Sequence, residues 1–500
     1  MKKVILVQPK NGLNEAVYVP LSLISLASFI RRDFDVRIID LRLESLDYLY
    51  DQVRKTKPLA VGFSMLTGSC INQIIDVAKE IKTHQPEIKI VVGGIHPTFF
   101  PEQTLENPQI DFVIVREGEK PLLNLLKALE SKSNLLGIEN LGWKDKKGEF
   151  HLIENPENFL DLNELPTPAW DLIAVEKYIG KLSNAPSKLF ISGESGPQRA
   201  INMYTSKGCP FICSFCYNLN FNRHQWRYKT AEKAVAEIEM LNKKYQINHF
   251  IVHDDNFVVN RERALKIAEL IQERGLKIKY SIDARIDYFD YDFFKKLKAS
   301  GLCEIRVGCE SGSDRVLKDI IRKGITKEQT IKAIGIAKQL DLKLLLSFVI
   351  GWPTETVTER QETINLILKL QQIHPQAAIY PLWVYLPYPG TDLFNLAVKL
   401  GFKQPQSLEE WGNYFWGKAH IPWLNNPREY EIIHELSSLA WYNKTWRTLP
   451  SRSFKSALKL VFAKMVRPLI LFRFKNNFWR FPIDAEMIIG LKSLMSNGRI

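Results

Sequence analysis

Short apolar, β-branched runs recur through the first 130 positions: KVILVQ (3–8), DVRIID (35–40), LAVGFS (59–64), IKIVVGG (88–94) and DFVIVREG (111–118), each followed by a helix-compatible stretch. Strand–helix alternation of this kind predicts a parallel sheet buried on both faces. Five such units make a doubly wound, flavodoxin-like (Rossmann-like) α/β domain over residues 1–135, whose ligands bind beyond the carboxyl ends of the strands. Residues 136–195 read as a hairpin, LGWKDKKGEFHLI turning at Lys147–Gly148, and a connector that Pro166 and Pro168 stiffen.

A second alternating series starts near Arg199: AINMYTS (200–206), HFIVHDD (249–255), KIKYSIDAR (277–285), CEIRVGCES (303–311), KLLLSFVIG (343–351) and AAIYPLWVY (377–385). Helical patterns such as TAEKAVAEIEMLNKKY and TKEQTIKAIGIAKQL separate these runs. Six βα units over 196–400 predict an incomplete (β/α)6 barrel of the TIM type, with chemistry at the carboxyl ends of its strands. Residues 401–500 read as Trp-rich loops and helices.

Composition adds that this is an ordinary globular chain, with 45% hydrophobic and 25% charged residues. MKKVILVQPKNG is too short in its apolar run for a signal peptide, and no stretch is long and apolar enough to span a membrane. Charge is uneven: residues 441–500 carry twelve Lys/Arg against Asp484 and Glu486, which is +10 of the chain's +13. The segment SRSFKSALKLVFAKMVRPLILFRFKNNFWRF places Phe454, Leu458, Val461 and Met465 at helical spacing, with Lys455, Lys459 and Lys464 between them. Two readings stand: a helix lying in the interface of an anionic membrane, or an apolar face packed on the barrel with snorkelling lysines. Pro468 is expected to break or kink that helix. No recognition motif accompanies the charge, which argues against nucleic acid.

Half of the six cysteines fall within TSKGCPFICSFCYN: Cys209, Cys213 and Cys216. A structural zinc site takes four ligands, usually as two C-x2-C knuckles, and no second knuckle follows. Spacing C-x3-C-x2-C suits a 4Fe–4S cluster with one iron left without a protein ligand. Gly208 and Pro210 shape the loop, and Phe215 can shield the cluster. The clustered thiols favour a reducing cytosol. Cys303 and Cys309, on an apparent strand, are expected to be core residues.

The triplet, with its aromatic Phe215 and its place after the first barrel strand, resembles the signature of the radical S-adenosylmethionine (radical SAM) enzymes. The resemblance implies that the open iron chelates the methionyl amine and carboxylate of the cofactor, and that reduction releases a 5′-deoxyadenosyl radical. It implies an electron donor such as flavodoxin or ferredoxin. It also implies cofactor contacts at strand ends: Asp254, Asp255 and Asn256 for the methionine amine, Arg285 for its carboxylate, and Glu310 and Ser311 for the ribose or amine. Ser347 and Gly351, followed by Pro353, are implied near the adenine, and Pro389–Gly390 close the barrel.

A doubly wound domain before such a barrel resembles the cobalamin-binding subgroup, which includes class B methyltransferases and the anaerobic magnesium-protoporphyrin ester cyclases. Its usual D-x-H-x-x-G is replaced here by QPKNGLN, whereas Ser64-x-Leu66, Gly93–Gly94, GGIHPTFFPE and Glu117-Gly118-Glu119 keep its pattern. Cobalamin would then lack a histidine below cobalt, with His96 left as a polar contact. The expected activity is methylation of an unactivated carbon of a small, lipophilic substrate, in a cytoplasmic protein that touches the membrane at most peripherally. An oxidative cyclase and a non-catalytic cobalamin or redox sensor are the alternatives. A methylthiotransferase would need three more cluster cysteines in the first domain, where Cys70 stands alone.

Overall fold

The computed structural model describes residues 1–12, 16–155, 157, 159–179, 199–441 and 454–496. Five parallel strands form at the expected runs: β1 (Lys3–Gln8), β2 (Asp35–Asp40), β3 (Ala60–Ser64), β4 (Lys89–Gly93) and β5 (Phe112–Ile114). Their order is β2–β1–β3–β4–β5, so both faces of the sheet are covered by crossover helices. The hairpin strands β6 (Leu141–Lys144) and β7 (Phe150–Leu152) continue this sheet antiparallel beyond β5. The hairpin thus extends the first sheet instead of belonging to the connector, because the open β5 edge offers unpaired backbone groups that β6 satisfies.

The second sheet runs β15–β14–β13–β12–β11–β8, all parallel and open at one side. Its members are β8 (Ala200–Met203), β11 (His249–Val252), β12 (Lys279–Asp283), β13 (Leu302–Glu310), β14 (Lys343–Ile350) and β15 (Ala378–Ile379). A two-stranded ribbon, β9 (Ser206–Lys207) with β10 (Arg227–Tyr228), brackets the cysteine loop. The last run was expected as one strand. It is split into β15 and β16 (Trp383–Val384), which pair with successive parts of β14. Pro381 lies between the halves and has no N–H for the ladder. Helices Lys327–Gln339 and Val357–Ile373 begin at capping boxes, Thr326 with Gln329 and Thr356 with Glu359.

Outward-facing residues of the second sheet, among them Phe250, Ile282, Ile305, Cys309 and Phe348, are fully buried beneath the helices. Cys309 is therefore a core residue, and Cys303 gives its thiol to the Tyr280 carbonyl at 3.4 Å. The two sheets are joined by contacts from the first domain to the last third of the chain. Asn107 donates to Glu409 at 2.7 Å, and Trp411 Nε1 donates to Gln103 at 2.9 Å. No described helix is long and apolar enough to cross a membrane. Helix Phe454–Lys475 runs through Pro468, which stands on its exposed side. There the carbonyl freed of its amide partner can meet water, so the helix need not end.

Candidate active site between the two sheets

The carboxyl ends of β3, β4 and β5 face the cysteine loop across a chamber of about 380 Å³. Ser64, Leu66, Gly93, Gly94, Glu117 and Gly118 line it from the first sheet, and Lys207, Tyr217, Asn222, His253 and Asp255 from the second. The chamber runs on into an apolar slot between the sheet and helix α1 (Leu21–Ile30), past Leu6, Leu23, Phe63, Val91 and Ile114. A glycine lets the strand ends pack closely beside the slot's mouth. Gly94 adopts φ +113°, and a Cβ added there would lie 2.6 Å from the Met65 carbonyl. A slot beside the carboxyl ends of a doubly wound sheet can take an extended arm of a ligand, as the nucleotide tail of the expected corrinoid would require.

The cysteine loop lies at the far side of the chamber. Burial pushes the Cys209 thiol up to about 11 and the Cys216 thiol up to about 12. Among the described residues the three sulfurs do not gather within 4.8 Å of one another. A tetrahedral zinc with bonds of about 2.3 Å would draw them to about 3.8 Å. Loop and barrel are bound together: Ser214 donates its N–H to Ile321 O at 2.9 Å and its hydroxyl to Ile320 O at 2.8 Å. Phe215 leans on Trp352 with centroids 5.3 Å apart.

The residues expected from sequence divide into three groups. Ser64, Leu66, Gly93, Gly94, Glu117, Gly118 and Asp255 reach the chamber. Asp255 accepts from the Gly208 N–H at 2.8 Å, and burial raises its carboxyl. Its neighbour His253 is also open to the chamber while enclosed by protein, and burial lowers the imidazole to about 4. Asn256 is fully buried, and both ends of its amide lack a partner among the described residues, as a side chain awaiting a ligand would. Glu310 and Ser347 stand on the inward face of their strands. Glu310 takes φ +64° at a register shift and pairs with Lys323 at 2.6 Å. Gly351, at φ +74°, is closed in by Val384, Leu424 and Tyr430.

Four expected contacts are turned elsewhere. Asp254 accepts from Thr205 N at 2.5 Å, Thr205 Oγ1 at 2.6 Å and Ser206 N at 2.9 Å, so its carboxylate builds the turn after β8. Arg285 is spent on Asp287 at 3.0 Å and Lys323 O at 2.6 Å, stacks 3.6 Å from Phe211, and points one nitrogen at Cys213 Sγ, 3.5 Å away. These contacts tie it to the loop. Ser311 is fully buried against Thr363 Oγ1 at 3.1 Å. His96 is buried outside the chamber beside Phe100 and Trp411, its Nδ1 3.1 Å from Thr67 Oγ1, because the short helix Ile95–Phe99 rotates it toward the core.

Burial holds His96 near pKa 3, and His249 near 4, so both stay neutral at pH 7. The unfolded chain binds protons below about pH 6.5, where the folded state does not, and stability is therefore lost as the pH falls. Each imidazole withdraws up to about 2 kcal/mol between pH 6.5 and 5. His96→Leu is expected to flatten the acid side of the Tm–pH curve and cost about 1 kcal/mol at pH 7 through the Thr67 bond. Cobalamin retention should not change; a loss of bound corrinoid would return His96 to the site.

Sequence reasoning missed Lys207, Tyr217 and Lys323. Lys207 lies 3.5 Å from Glu117 and 3.6 Å from Glu119. Arg227 joins Glu117 at 2.7 Å. Burial would raise the Glu117 carboxyl, but Lys207 and Arg227 hold it below the usual carboxylate range. Tyr217 is pushed up by burial and by its bond to Asp255. Lys207 and Tyr217 flank the cysteine triplet and could have been read as facing the same space; Lys323, in IIRKGIT, carries no such signal.

Residues 15–126 match the B12 binding domain family and residues 203–367 the Radical SAM superfamily. An uncharacterized methyltransferase of Pyrococcus horikoshii is 35% identical over 384 residues, 76% of this chain and 78% of that one. The anaerobic magnesium-protoporphyrin IX monomethyl ester cyclase of Rubrivivax gelatinosus is 27% identical over 72% of this chain and 62% of its own. The fold is shared with the cobalamin-dependent S-adenosylmethionine radical enzyme OxsB, with aqua-cobalamin and S-adenosylmethionine bound. That likeness has a TM-score of 0.70 at 19% identity and covers 100% of this chain and 75% of that one.

Proposed function

This chain belongs to the cobalamin-binding radical SAM enzymes, whose cofactors are a 4Fe–4S cluster, S-adenosylmethionine and cobalamin, and on that premise we propose that it methylates an unactivated carbon of a small molecule. The observation that carries this reading is the single chamber that joins the tail slot of the first sheet to the residues flanking the cysteine loop. When bound, the cluster and S-adenosylmethionine supply the hydrogen-abstracting radical, and cobalamin supplies the methyl group. Cys209, Cys213 and Cys216 would hold the cluster, and Asn256 and Glu310 would meet S-adenosylmethionine. Ser64, Leu66, Gly93, Gly94 and Gly118 would receive the corrinoid. A low-potential donor such as flavodoxin or ferredoxin would supply the electron.

The chain's own part is positional. Among the described residues no histidine of the first domain lines the chamber, and Leu66 with the Ser64 and glycine positions beside it would hold the corrinoid there. Tyr217 and Asp255, bonded to one another, keep polar groups fixed beside the reacting space. The slot's leucines and Phe63 exclude water from it.

The test is anaerobic reconstitution with cobalamin, followed by methyl-labelled S-adenosylmethionine, a reductant and an extract of cellular small molecules. Retained corrinoid, 5′-deoxyadenosine and a product heavier by one labelled methyl group are expected. A product that has lost hydrogens without gaining carbon would replace methylation with the cyclase reading. No deoxyadenosine from protein with a full cluster would remove both and leave the sensor.

A further inference from the structure

The C-terminal helices expose an apolar face that no described residue covers. Helix Phe454–Lys475 rests on helix Pro427–Ala440 through Ala463, Ile470 and Phe474, all buried. Of the stripe singled out in the sequence, Phe454 and Leu458 lie outside the residues whose side chains are described, and Val461 and Met465 face the other way. Val461, Met465, Leu469 and Phe472 follow one another at helical spacing on the exposed side, Met465 at 73% exposure. The described part of that stripe, Val461 and Met465, is therefore not on the packed face. The turn to the last helix adds Phe481 at 76% exposure, and that helix adds Ile483 and Met487.

Charge on the same surface has one sign. Asp484 is bound by Arg473 and Glu486 by Arg428. Lys464, Lys475 and Arg480 are exposed, and none has a carboxylate partner among the described residues. We propose that this face seats on an anionic lipid bilayer, with its apolar side chains in the headgroup–acyl boundary and its cations on lipid phosphates. Neither helix is long and apolar enough to span, and basic–apolar helices of this kind lie in the interface plane. A protein partner is the poorer occupant, since protein interfaces are depleted in lysine. Membrane seating stands independently of the reaction catalysed.

The test sediments the full-length holoenzyme with phosphatidylcholine vesicles, with and without phosphatidylglycerol. Binding is expected only with phosphatidylglycerol and should weaken as salt screens the cations. The double variant Met465→Asp/Phe472→Asp, changed at exposed positions, should bind at least about tenfold more weakly while keeping its Tm and iron content. Absence of binding at low salt, equal binding to both vesicles, or undiminished binding by the double variant would each overturn the proposal. So would self-association in solution that the double variant abolishes, which would assign the face to a second copy of the chain.

Discussion

Gly208→Ala is expected to abolish the iron–sulfur site while leaving both sheets folded. Gly208 takes φ +82° directly before Cys209, and a Cβ there would lie 2.0 Å from the Gln225 carbonyl oxygen and 3.2 Å from Asn222 Cβ. Left-handed backbone alone costs alanine about 1–2 kcal/mol. The contact is the larger problem, because a carbonyl oxygen held in the chain cannot swing aside as the end of a side chain could. Nor can the ribbon move freely: Lys207 is paired to Arg227 in β9–β10, and the Gly208 N–H is held by Asp255 at 2.8 Å. Displacement therefore falls on the loop that carries the three thiols. After anaerobic reconstitution, bound iron and sulfide should drop at least about tenfold and deoxyadenosine should vanish, while Tm falls by about 5 °C or less. Gly148→Ala is the control. It shares φ +82° but has no atom within 4 Å of the added Cβ, and it should keep its full cluster. If Gly208→Ala keeps it as well, the loop is not held as described.

Legibility in the sequence followed the strength of local constraint. Strands buried on both faces, such as KVILVQ and KLLLSFVIG, announce themselves by uninterrupted β-branched and aliphatic runs, and β1 and β14 lie where those runs lie. The hairpin was visible as a hairpin, but its attachment to the first sheet depends on which edge lies open in space, and no local pattern carries that. Cysteine spacing exposed the metal chemistry because three ligands on one short loop must be close. Side-chain direction at strand ends was harder to read. Asp254 and Asp255 are adjacent and identical in type, yet successive residues point to opposite sides: one builds the turn after β8, the other faces the chamber. Arg285 was read as a free cation because its partners Asp287 and Lys323 O come from a turn and from a distant loop. Glu117 was expected to contact cofactor, and the chamber does include it. Its two cationic neighbours, however, come from a ribbon some ninety to one hundred and ten positions further on, a separation that conceals the pair.

That ribbon gives the second large effect. Lys207→Met should destabilise the protein by about 2–3 kcal/mol at pH 7. Lys207 lies between two carboxylates whose side chains are only 9% and 4% exposed, Glu117 at 3.5 Å and Glu119 at 3.6 Å. Removing one partner of a buried ion pair costs about 3–5 kcal/mol, because the remaining charge is left uncompensated. The smaller figure applies here for two reasons: both contacts are longer than a hydrogen bond, and Lys207 itself is 26% exposed. Glu117 keeps Arg227 at 2.7 Å, whereas Glu119 keeps, among the described residues, only the Ser25 hydroxyl at 2.7 Å. Lys207 is one of the two cations that hold the Glu117 carboxyl low, so the variant's folded-state value moves back toward the ordinary range. A carboxylate held low contributes stability above its unfolded value, about 4.5, and loses it as the pH falls through the folded value. The deficit of Lys207→Met is therefore full from pH 7 down to about 4.5 and closes only below that, as the pH falls through the folded value, and calorimetric Tm values carried from pH 7 to below 4.5 check it. Glu119→Gln added to Lys207→Met should recover about half of the loss, since it removes the charge left without a cation. The pair joins the turn before α6 (Glu119–Ser131), which lines the chamber from the first sheet, to the strand that leads into Cys209. Corrinoid retention and deoxyadenosine formation should consequently fall together in the single variant and return together in the double. A single variant as stable as the parent at pH 7 would mean that the remaining contacts, among them Arg227–Glu117, Arg116 on Asn220 O and Phe221 O, and Asn107–Glu409, hold the two sheets in register without Lys207.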